Sequence, residues 1–374
     1  MLKQQNVDKL EQFIRDFYKE LSKMRLGKWN YEDGCILNAA IQLYEAKGDE
    51  SFKNFVLEYL ENYVDKDGNI LYYKQQDYKL DDIASGRALL FAYEQTGEER
   101  YKKAVELLMK HLTDQPRIPA GNFWHKKIYP NQVWLDGLYM AQPFYMAYDT
   151  KYNKNAHYVD ICNQFQLVLD KMYDKERELF YHGYDDSKEI FWANKETGCS
   201  ANFWLRALGW FLVGCVDTME EMDRKEYDSF RQIMDVYKKA IHGVLKYQDK
   251  ESGLFYQVVD GAHIEGNYLE TSGSAMIAAS ILKACRMKVL LSEKYQEIGE
   301  NILENIIEQK LVEIDGVLCL KDNCSVAGLG PDEGRRDGSV EYYLSEKVIV
   351  DDKKGIAAFF MAYAQYLMLD KAIV

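Results

Sequence analysis

The chain has 374 residues, 47% of them hydrophobic, and a formal net charge of −13. This charge disfavours nucleic acids and anionic membrane surfaces as partners, and it means that an acidic ligand needs a local group of cations. The seven scattered cysteines form no CxxC pair, which indicates reduced thiols and argues against a disulfide framework or a zinc site.

The N-terminal segment, MLKQQNVDKLEQF, lacks the apolar core of a secretory signal. No apolar run is long enough to span a bilayer, so we expect a cytoplasmic protein without a membrane partner. Neither a Gly/Ser-rich linker nor a charge run divides the chain. We therefore expect one domain over residues 1–374, although the length alone would also allow two or three.

Apolar residues recur with the helical period along most of the chain. An amphipathic segment at 7–24 comes first. Two similar units follow at 33–64 and 85–112, each with a Gly-led apolar helix, a polar turn and an amphipathic helix. The turn sequences YEAKGDESF and YEQTGEERY are nearly the same, which indicates an internal repeat. Further apolar helices begin near Gly137, Gly209, Gly273 and Gly355.

Six apolar and six amphipathic helices predict an all-α fold, an (α/α)6 barrel with an inner and an outer ring. The helix at 7–24 would supply the sixth outer partner. Gly-containing stretches such as DKDGNILYY, KERELFYHGY, KESGLFYQVV and EIDGVLCLKD predict short β-hairpins on the rim. An open helical solenoid is the alternative architecture.

In such a ring, the loops before the inner helices converge at one end. Most of their carboxylates have an ordinary explanation as helix caps, which we expect for Asp33, Asp82 and Asp351. Asp136, in WLDG, differs because Trp134 precedes it, and Asp81 lies in the neighbouring repeat. An apolar wall and a nearby carboxylate both raise a carboxyl pKa, which suits a general acid, although capping remains open for Asp136 as well.

Other polar residues near these loops have two interpretations each. His125, Lys126 and His182 are either ordinary loop residues or ligand contacts, and no metal-binding spacing is present, so we expect neither a metal nor a cofactor. Arg206 lies between Trp204 and Trp210 on an apolar helix. Its partner is either a nearby Asp or Glu or the carboxylate of a substrate. Trp210 is placed to stack on a sugar.

Several long motifs together resemble one known family. They are LDDIASG, GNFWHKKIYPNQVWLDGLYMAQPF, FYHGYDDSKEIFWANKETGCSANFWLRALGW, YQDKESGLFYQVVD and NYLETSGSAM. They are similar to motifs of the unsaturated rhamnogalacturonyl hydrolases of glycoside hydrolase family 105, and the resemblance covers most of the chain. It implies an (α/α)6 barrel.

The resemblance also implies roles for individual residues. Asp136 matches the catalytic general acid and base, and Asp81 matches a second functional carboxylate. The positions that match sugar-contacting residues are Tyr31, His125, Lys126, Trp134, His182, Arg206 and Trp210.

The implied substrate is a small oligosaccharide released by a polysaccharide lyase, whose terminal uronic acid carries a C4=C5 double bond. The implied reaction hydrates this bond. Three other functions remain open: an unsaturated glucuronyl hydrolase acting on glycosaminoglycan fragments, an inverting glycosidase acting on saturated glycosides, and a non-catalytic helical-ring scaffold. The Gly-rich loop at 325–346 is predicted to be a rim lid or a structural loop, in which Arg335 and Arg336 would help an acidic ligand approach.

Overall fold

The computed structural model describes residues 1–21, 28–331 and 334–369. In these ranges six apolar helices form an inner ring and six amphipathic helices an outer ring. The inner helices are α2 (Tyr31–Lys47), α4 (Gly86–Thr96), α6 (Leu135–Tyr152), α8 (Leu205–Glu220), α10 (Thr271–Arg286) and α13 (Lys353–Leu367). The outer helices are α1 (Gln4–Leu21), α3 (Glu50–Glu61), α5 (Glu99–Asp114), α7 (Tyr158–Met172), α9 (Tyr227–Leu245) and α11 (Ser292–Gln309). A short helix, α12 (Val340–Ser345), lies outside this alternation.

The ring is closed. Each inner helix contacts the next one in chain order, and α13 contacts α2. The N-terminal helix α1 packs on α11, and the Tyr363 hydroxyl of α13 donates a hydrogen bond to Glu11 of α1 at 2.7 Å. The predicted (α/α)6 architecture is thus confirmed, with α1 as the sixth outer helix. No helix in the described ranges is long and apolar enough to cross a membrane.

In the part of the chain that the structure describes, eight short strands lie between the helices and form antiparallel pairs. The pairs are β1 (Gln132–Trp134) with β4 (Gly183–Asp185), β2 (Tyr173–Asp174) with β3 (Leu179–Phe180), β5 (Leu311–Ile314) with β6 (Val317–Leu320), and β7 (Asn323–Cys324) with β8 (Val348–Ile349). Two of the four predicted hairpins are present, β2–β3 and β5–β6. The other two predicted segments, DKDGNILYY and KESGLFYQVV, do not form hairpins. Their residues make only single-residue bridges, and the residues they pair with lie outside these segments.

The expected capping carboxylates were misassigned. Asn30 caps α2, and Asp352 caps α13 through the amides of Lys354 and Gly355. Asp33 instead accepts hydrogen bonds from Asn30, Tyr59 and Lys353. Asp351 accepts a hydrogen bond from the Leu320 amide, and Asp82 is buried in a 3-10 turn without a capping bond. For α2 and α13 a neighbouring polar side chain takes the capping role, which local sequence does not distinguish, whereas the turn that contains Asp82 has no side-chain cap.

The glycines that open the inner helices allow close packing, as Gly273 shows. A Cβ atom at this position would overlap Leu205 Cγ and lie 3.1 Å from the Leu205 carbonyl carbon. We expect Gly273→Ala to lower the free energy of unfolding by about 1–3 kcal/mol through overpacking between α8 and α10. Urea denaturation measures this change. Glu297→Ala on the outer helix α11 is the control, expected to stay within about 0.5 kcal/mol.

Candidate active site

The candidate site lies at the end of the ring where the inner helices begin. Two contacts between short extended segments assemble it. β1 pairs with β4 so that Trp134 lies opposite Gly183, and the Leu135 amide donates to the His182 carbonyl at 3.1 Å. Lys79 forms an isolated bridge with Lys126. The first contact brings His182 to the start of α6, and the second brings the segment preceding α4 beside the segment preceding β1.

Asp136, in the first turn of α6, faces His182. The distance from Asp136 Oδ2 to His182 Nε2 is 3.5 Å, at the outer limit of a hydrogen bond, and both atoms are buried without a closer partner in the described ranges. The other ring nitrogen, His182 Nδ1, lies 2.9 Å from the Tyr343 hydroxyl. If Tyr343 donates to Nδ1, the remaining proton of a neutral His182 is on Nε2, which then points at the carboxylate. The Asp136 side chain is 14% exposed.

These neighbours shift the pKa of Asp136 in the direction opposite to the one expected from the sequence. Burial by itself raises the pKa, but the hydrogen bond and charge interaction with His182 outweigh it, so that the net pKa is below the ordinary value. The prediction of a raised pKa was wrong because it counted the Trp134 wall and Asp81 but not His182. Asp136 is therefore a carboxylate at neutral pH in the unliganded protein.

The second carboxylate, Asp81, lies in a 3-10 turn just before α4 and is held by a cation. Lys126 Nζ is 2.5 Å from Asp81 Oδ2, and His125 Nε2 is 3.6 Å from Asp81 Oδ1. Burial lowers the pKa of Lys126, but Asp81 more than compensates, and the net pKa is raised, so that the ammonium stays charged. Burial lowers the pKa of His125 to about 4, and this imidazole is therefore neutral. The charge of Asp81 is thus compensated, unlike that of Asp136.

Aromatic rings form one wall of the site. The Trp134 ring stacks on His125 at 4.4 Å and on Tyr129 at 4.8 Å, and meets His182 edge-on at 5.6 Å. Trp134 is only 4% exposed. The indole therefore positions both histidines and has little surface left for a ligand.

Arg206, at the start of α8, is occupied by the protein itself. Its Nε donates to Ser272 Oγ at 2.7 Å, and its terminal nitrogens donate to the carbonyls of Cys324 and Ser325. Two buried carboxylates, Glu270 and Asp352, lie 3.6 and 3.7 Å from Nη2. Of the two partners left open for Arg206, the structure supplies the protein carboxylates.

Tyr31 and Trp210 occupy different positions relative to this site. Tyr31 begins α2 and is half-buried near Asp81 and Arg206, which both act on its pKa; burial, the largest effect, raises that pKa well above the ordinary value. Trp210 is 1% exposed and stacks on Tyr139 at 4.3 Å. Since Trp210 is one turn beyond Arg206, and Tyr139 one turn beyond Asp136, the stacked pair forms the layer below the site. It does not present a free ring face to a sugar.

Two residues next to the site, Tyr343 and Tyr129, were not predicted from the sequence. Tyr343 of α12 orients His182, and Trp204 stacks with Tyr343 at 6.2 Å. Tyr129 extends the aromatic wall. No local motif identifies Tyr343, because it reaches His182 across 161 residues of sequence. In the described ranges, no group of three or more His, Cys, Asp and Glu side chains is arranged to hold a metal ion.

A closed (α/α)6 ring with two carboxylates in different environments beside aromatic rings is an arrangement suited to acid–base chemistry on a sugar. Comparison with known proteins specifies the class. The model of Glycosyl Hydrolase Family 88 matches residues 7–370. A glycoside hydrolase from family 105 of C. acetobutylicum is 34% identical, with a TM-score of 0.91 over 96% of this chain and 99% of that one. The chain therefore belongs to the glycoside hydrolase 88/105 group, in family 105.

Two further relatives are informative about activity and fold. The unsaturated rhamnogalacturonyl hydrolase YesR of Bacillus subtilis is 24% identical over 265 residues, 69% of this chain and 72% of YesR. The unsaturated glucuronyl hydrolase from Bacillus sp. GL1 is 14% identical, with a TM-score of 0.60 over 94% of this chain and 89% of that one. The second similarity shows a shared fold alone.

Proposed function

We propose that this glycoside hydrolase removes the unsaturated galacturonic acid from the non-reducing end of rhamnogalacturonan-type oligosaccharides, with Asp136 as general acid and base. The observation that carries the proposal is the pairing of Asp136 with His182 beside the compensated Asp81–Lys126 pair. The similarity to YesR supports the choice of sugar.

The reaction begins with the transfer of a proton from Asp136 to C4 of the enol ether. The π electrons form the C4–H bond, and positive charge develops at C5 and the ring oxygen. Asp81 and the restored carboxylate of Asp136 stabilise this charge electrostatically. Water then adds at C5 while Asp136 takes one of its protons. The hemiketal opens to a ketone at C5, and C1 becomes a hemiacetal. The hemiacetal then collapses to an aldehyde at C1 as the C1–O bond breaks and the aglycone leaves as an alcohol.

Asp136 must be protonated when the substrate is bound, although its pKa is low in the unliganded protein. Binding supplies the change, because the uronate carboxylate brings a negative charge and the sugar displaces water, and both raise a carboxyl pKa. The carboxylate formed after protonation of C4 is the form that accepts a proton from water. One carboxyl group thus performs both steps, and substrate binding sets its protonation state.

The test is a panel of lyase-made disaccharides whose double bond absorbs in the near ultraviolet. We expect the absorbance of unsaturated galacturonyl-rhamnose to disappear. Loss of absorbance only with glycosaminoglycan disaccharides would indicate a glucuronyl hydrolase instead. Cleavage of saturated glycosides alone would indicate an inverting glycosidase, and no reaction or binding with any of these substrates would contradict enzymatic function.

Tyr343 provides a test of how Asp136 is tuned. We expect Tyr343→Phe to lower kcat about tenfold, the equivalent of one buried hydrogen bond, because His182 loses the partner that orients it, with KM within about twofold. Without the hydroxyl, His182 no longer keeps its Nε2 proton towards Asp136, so the lowering of the Asp136 pKa is relieved. The limb of the kcat/KM profile that reports Asp136 should therefore move to higher pH. A profile of unchanged shape would mean that Tyr343 has only a packing role.

A further inference from the structure

The inference concerns how the site holds the acidic group of its substrate, and it rests on the proposed function. An unsaturated uronate carries a carboxylate, which a buried site accepts only if a cation compensates it. Of the cationic side chains in the described ranges, Lys126, Arg206 and Lys354 lie near the candidate site, and each is already paired. Lys126 is 2.5 Å from Asp81, and Arg206 lies between Glu270 and Asp352.

The third cation, Lys354, is paired in the same way. Its Nζ is 2.9 Å from Glu32 and 2.8 Å from Asp352. With Asp136 included, carboxylates outnumber these three cations at this end of the ring. A substrate carboxylate would therefore enter a negatively charged environment, unless a fourth cation takes part.

Arg336, on the rim loop, has no carboxylate partner in the described ranges. Its Nε donates to the Gly328 carbonyl at 3.0 Å, and the groups that act on its guanidinium are the hydroxyls of Tyr129 and Tyr342. The side chain is half-buried. A half-buried guanidinium with only neutral neighbours keeps its capacity for a bidentate contact with an anion.

The position of Arg336 connects it to the aromatic wall. A Cβ atom on Gly328 would overlap Arg336 Nη2 and lie 3.3 Å from Trp134 Cζ3, so the guanidinium and the indole edge converge on one glycine. The Tyr129 ring beside Arg336 is the ring that stacks on Trp134. Lys126 Nζ lies 5.8 Å from the centroid of the same Tyr129 ring.

We propose that Arg336 is a specificity-determining residue that binds the carboxylate of the unsaturated uronic acid. Arg206 instead holds the start of the same loop through the carbonyls of Cys324 and Ser325. The two arginines thus have different roles. Arg206 anchors the loop, and Arg336 binds the charged group of the ligand. A neutral sugar has no carboxylate for Arg336 to bind, so Arg336 does not contribute to its affinity.

The experiment compares Arg336→Gln with Arg231→Gln. Arg231, on the outer helix α9, is the control, because it is 62% exposed and pairs with Asp235 at 3.7 Å. Each variant is assayed with the unsaturated disaccharide as free acid and as methyl ester of the uronyl group. Each substrate is compared with wild type on that same substrate, which cancels the intrinsic difference in reactivity between acid and ester.

We expect Arg336→Gln to lower kcat/KM for the acid roughly 10- to 100-fold, mainly through KM, as for loss of a charge-assisted hydrogen bond. The ester should change by less than about threefold, and Arg231→Gln should change neither substrate by more than about twofold. Equal losses on acid and ester would overturn the proposal, because they would indicate a disturbed loop. An unchanged KM for the acid would overturn it as well.

Calorimetric binding of the same acid and ester to Asp136→Asn protein, with and without Arg336→Gln, separates this inference from the proposed function. If wild-type protein hydrolyses no unsaturated substrate but loses acid-selective binding with Arg336→Gln, the activity is wrong and the carboxylate site stands. If wild type is active and Arg336→Gln binds acid and ester as before, the activity stands and the carboxylate site is wrong.

Discussion

Asp136→Asn is expected to lower kcat for the unsaturated disaccharide by about 10³- to 10⁴-fold, while the protein stays folded. General acid–base catalysis by one group contributes roughly 10²- to 10⁴-fold. The upper part of this range applies because the same carboxyl serves in both proton transfers. The amide has nearly the same shape and still faces His182, so binding should change little. Initial rates from the double-bond absorbance, together with KM, measure the effect.

The matched control is Asp228→Asn, which changes an exposed aspartate in the first turn of the outer helix α9. We expect this variant to keep wild-type rates. If Asp136→Asn keeps more than a tenth of the wild-type kcat, Asp136 is not the proton donor, and Asp81 becomes the candidate. A loss of activity with a matching loss of thermal stability would instead indicate a structural role in the first turn of α6.

Asp81 has a different expected role because its environment differs. Lys126 Nζ lies 2.5 Å from Asp81 Oδ2, whereas in the described ranges the ionisable partner of Asp136 is His182 at 3.5 Å. Catalytic hydrogen bonds are often long before substrate binds and tighten in the complex. A carboxylate with a weak contact to a histidine is free to exchange its proton with a ligand, and one held by an ammonium is not.

The ring was predictable because its evidence is repeated. Gly-led apolar helices followed by amphipathic ones recur along the chain, so a single misread element would not have hidden the pattern. The closed form follows from α1, whose apolar face needs a partner and finds α11. The contacts that build the site were not predictable in this way, because β1 and β4 have only three residues each and the Lys79–Lys126 bridge joins a single pair of residues, without a local signal.

The pKa of Asp136 likewise could not be predicted from the sequence alone. The sequence places Trp134 two residues before it, and an indole wall alone would raise the pKa. His182 reaches Asp136 only because β4 pairs with β1. The direction of the shift therefore depends on a tertiary contact. Likewise, Arg206 between Trp204 and Trp210 is compatible with either a substrate or a protein partner, and only the fold brings Glu270 and Asp352 to it.

Arg206→Leu is expected to lower the free energy of unfolding by about 3–5 kcal/mol, because it leaves the buried Glu270 without its cation and Asp352 with Lys354 alone. Glu270 is fully buried, and the side chain of Asp352 is 4% exposed. The carbonyls of Cys324 and Ser325 lose their donors as well. Urea denaturation followed by circular dichroism measures the change.

Arg231→Leu is the control for this substitution. Arg231 lies on the outer helix α9, is 62% exposed and forms only an i,i+4 pair with Asp235 at 3.7 Å. We expect its loss to change stability by no more than about 0.5 kcal/mol. A stable Arg206→Leu protein with a strongly raised KM for the acid substrate would assign the substrate carboxylate to Arg206 and contradict the anchoring role. Because a lost anchor also shifts the loop that carries Arg336, stability has to be measured before any rate of this variant is interpreted.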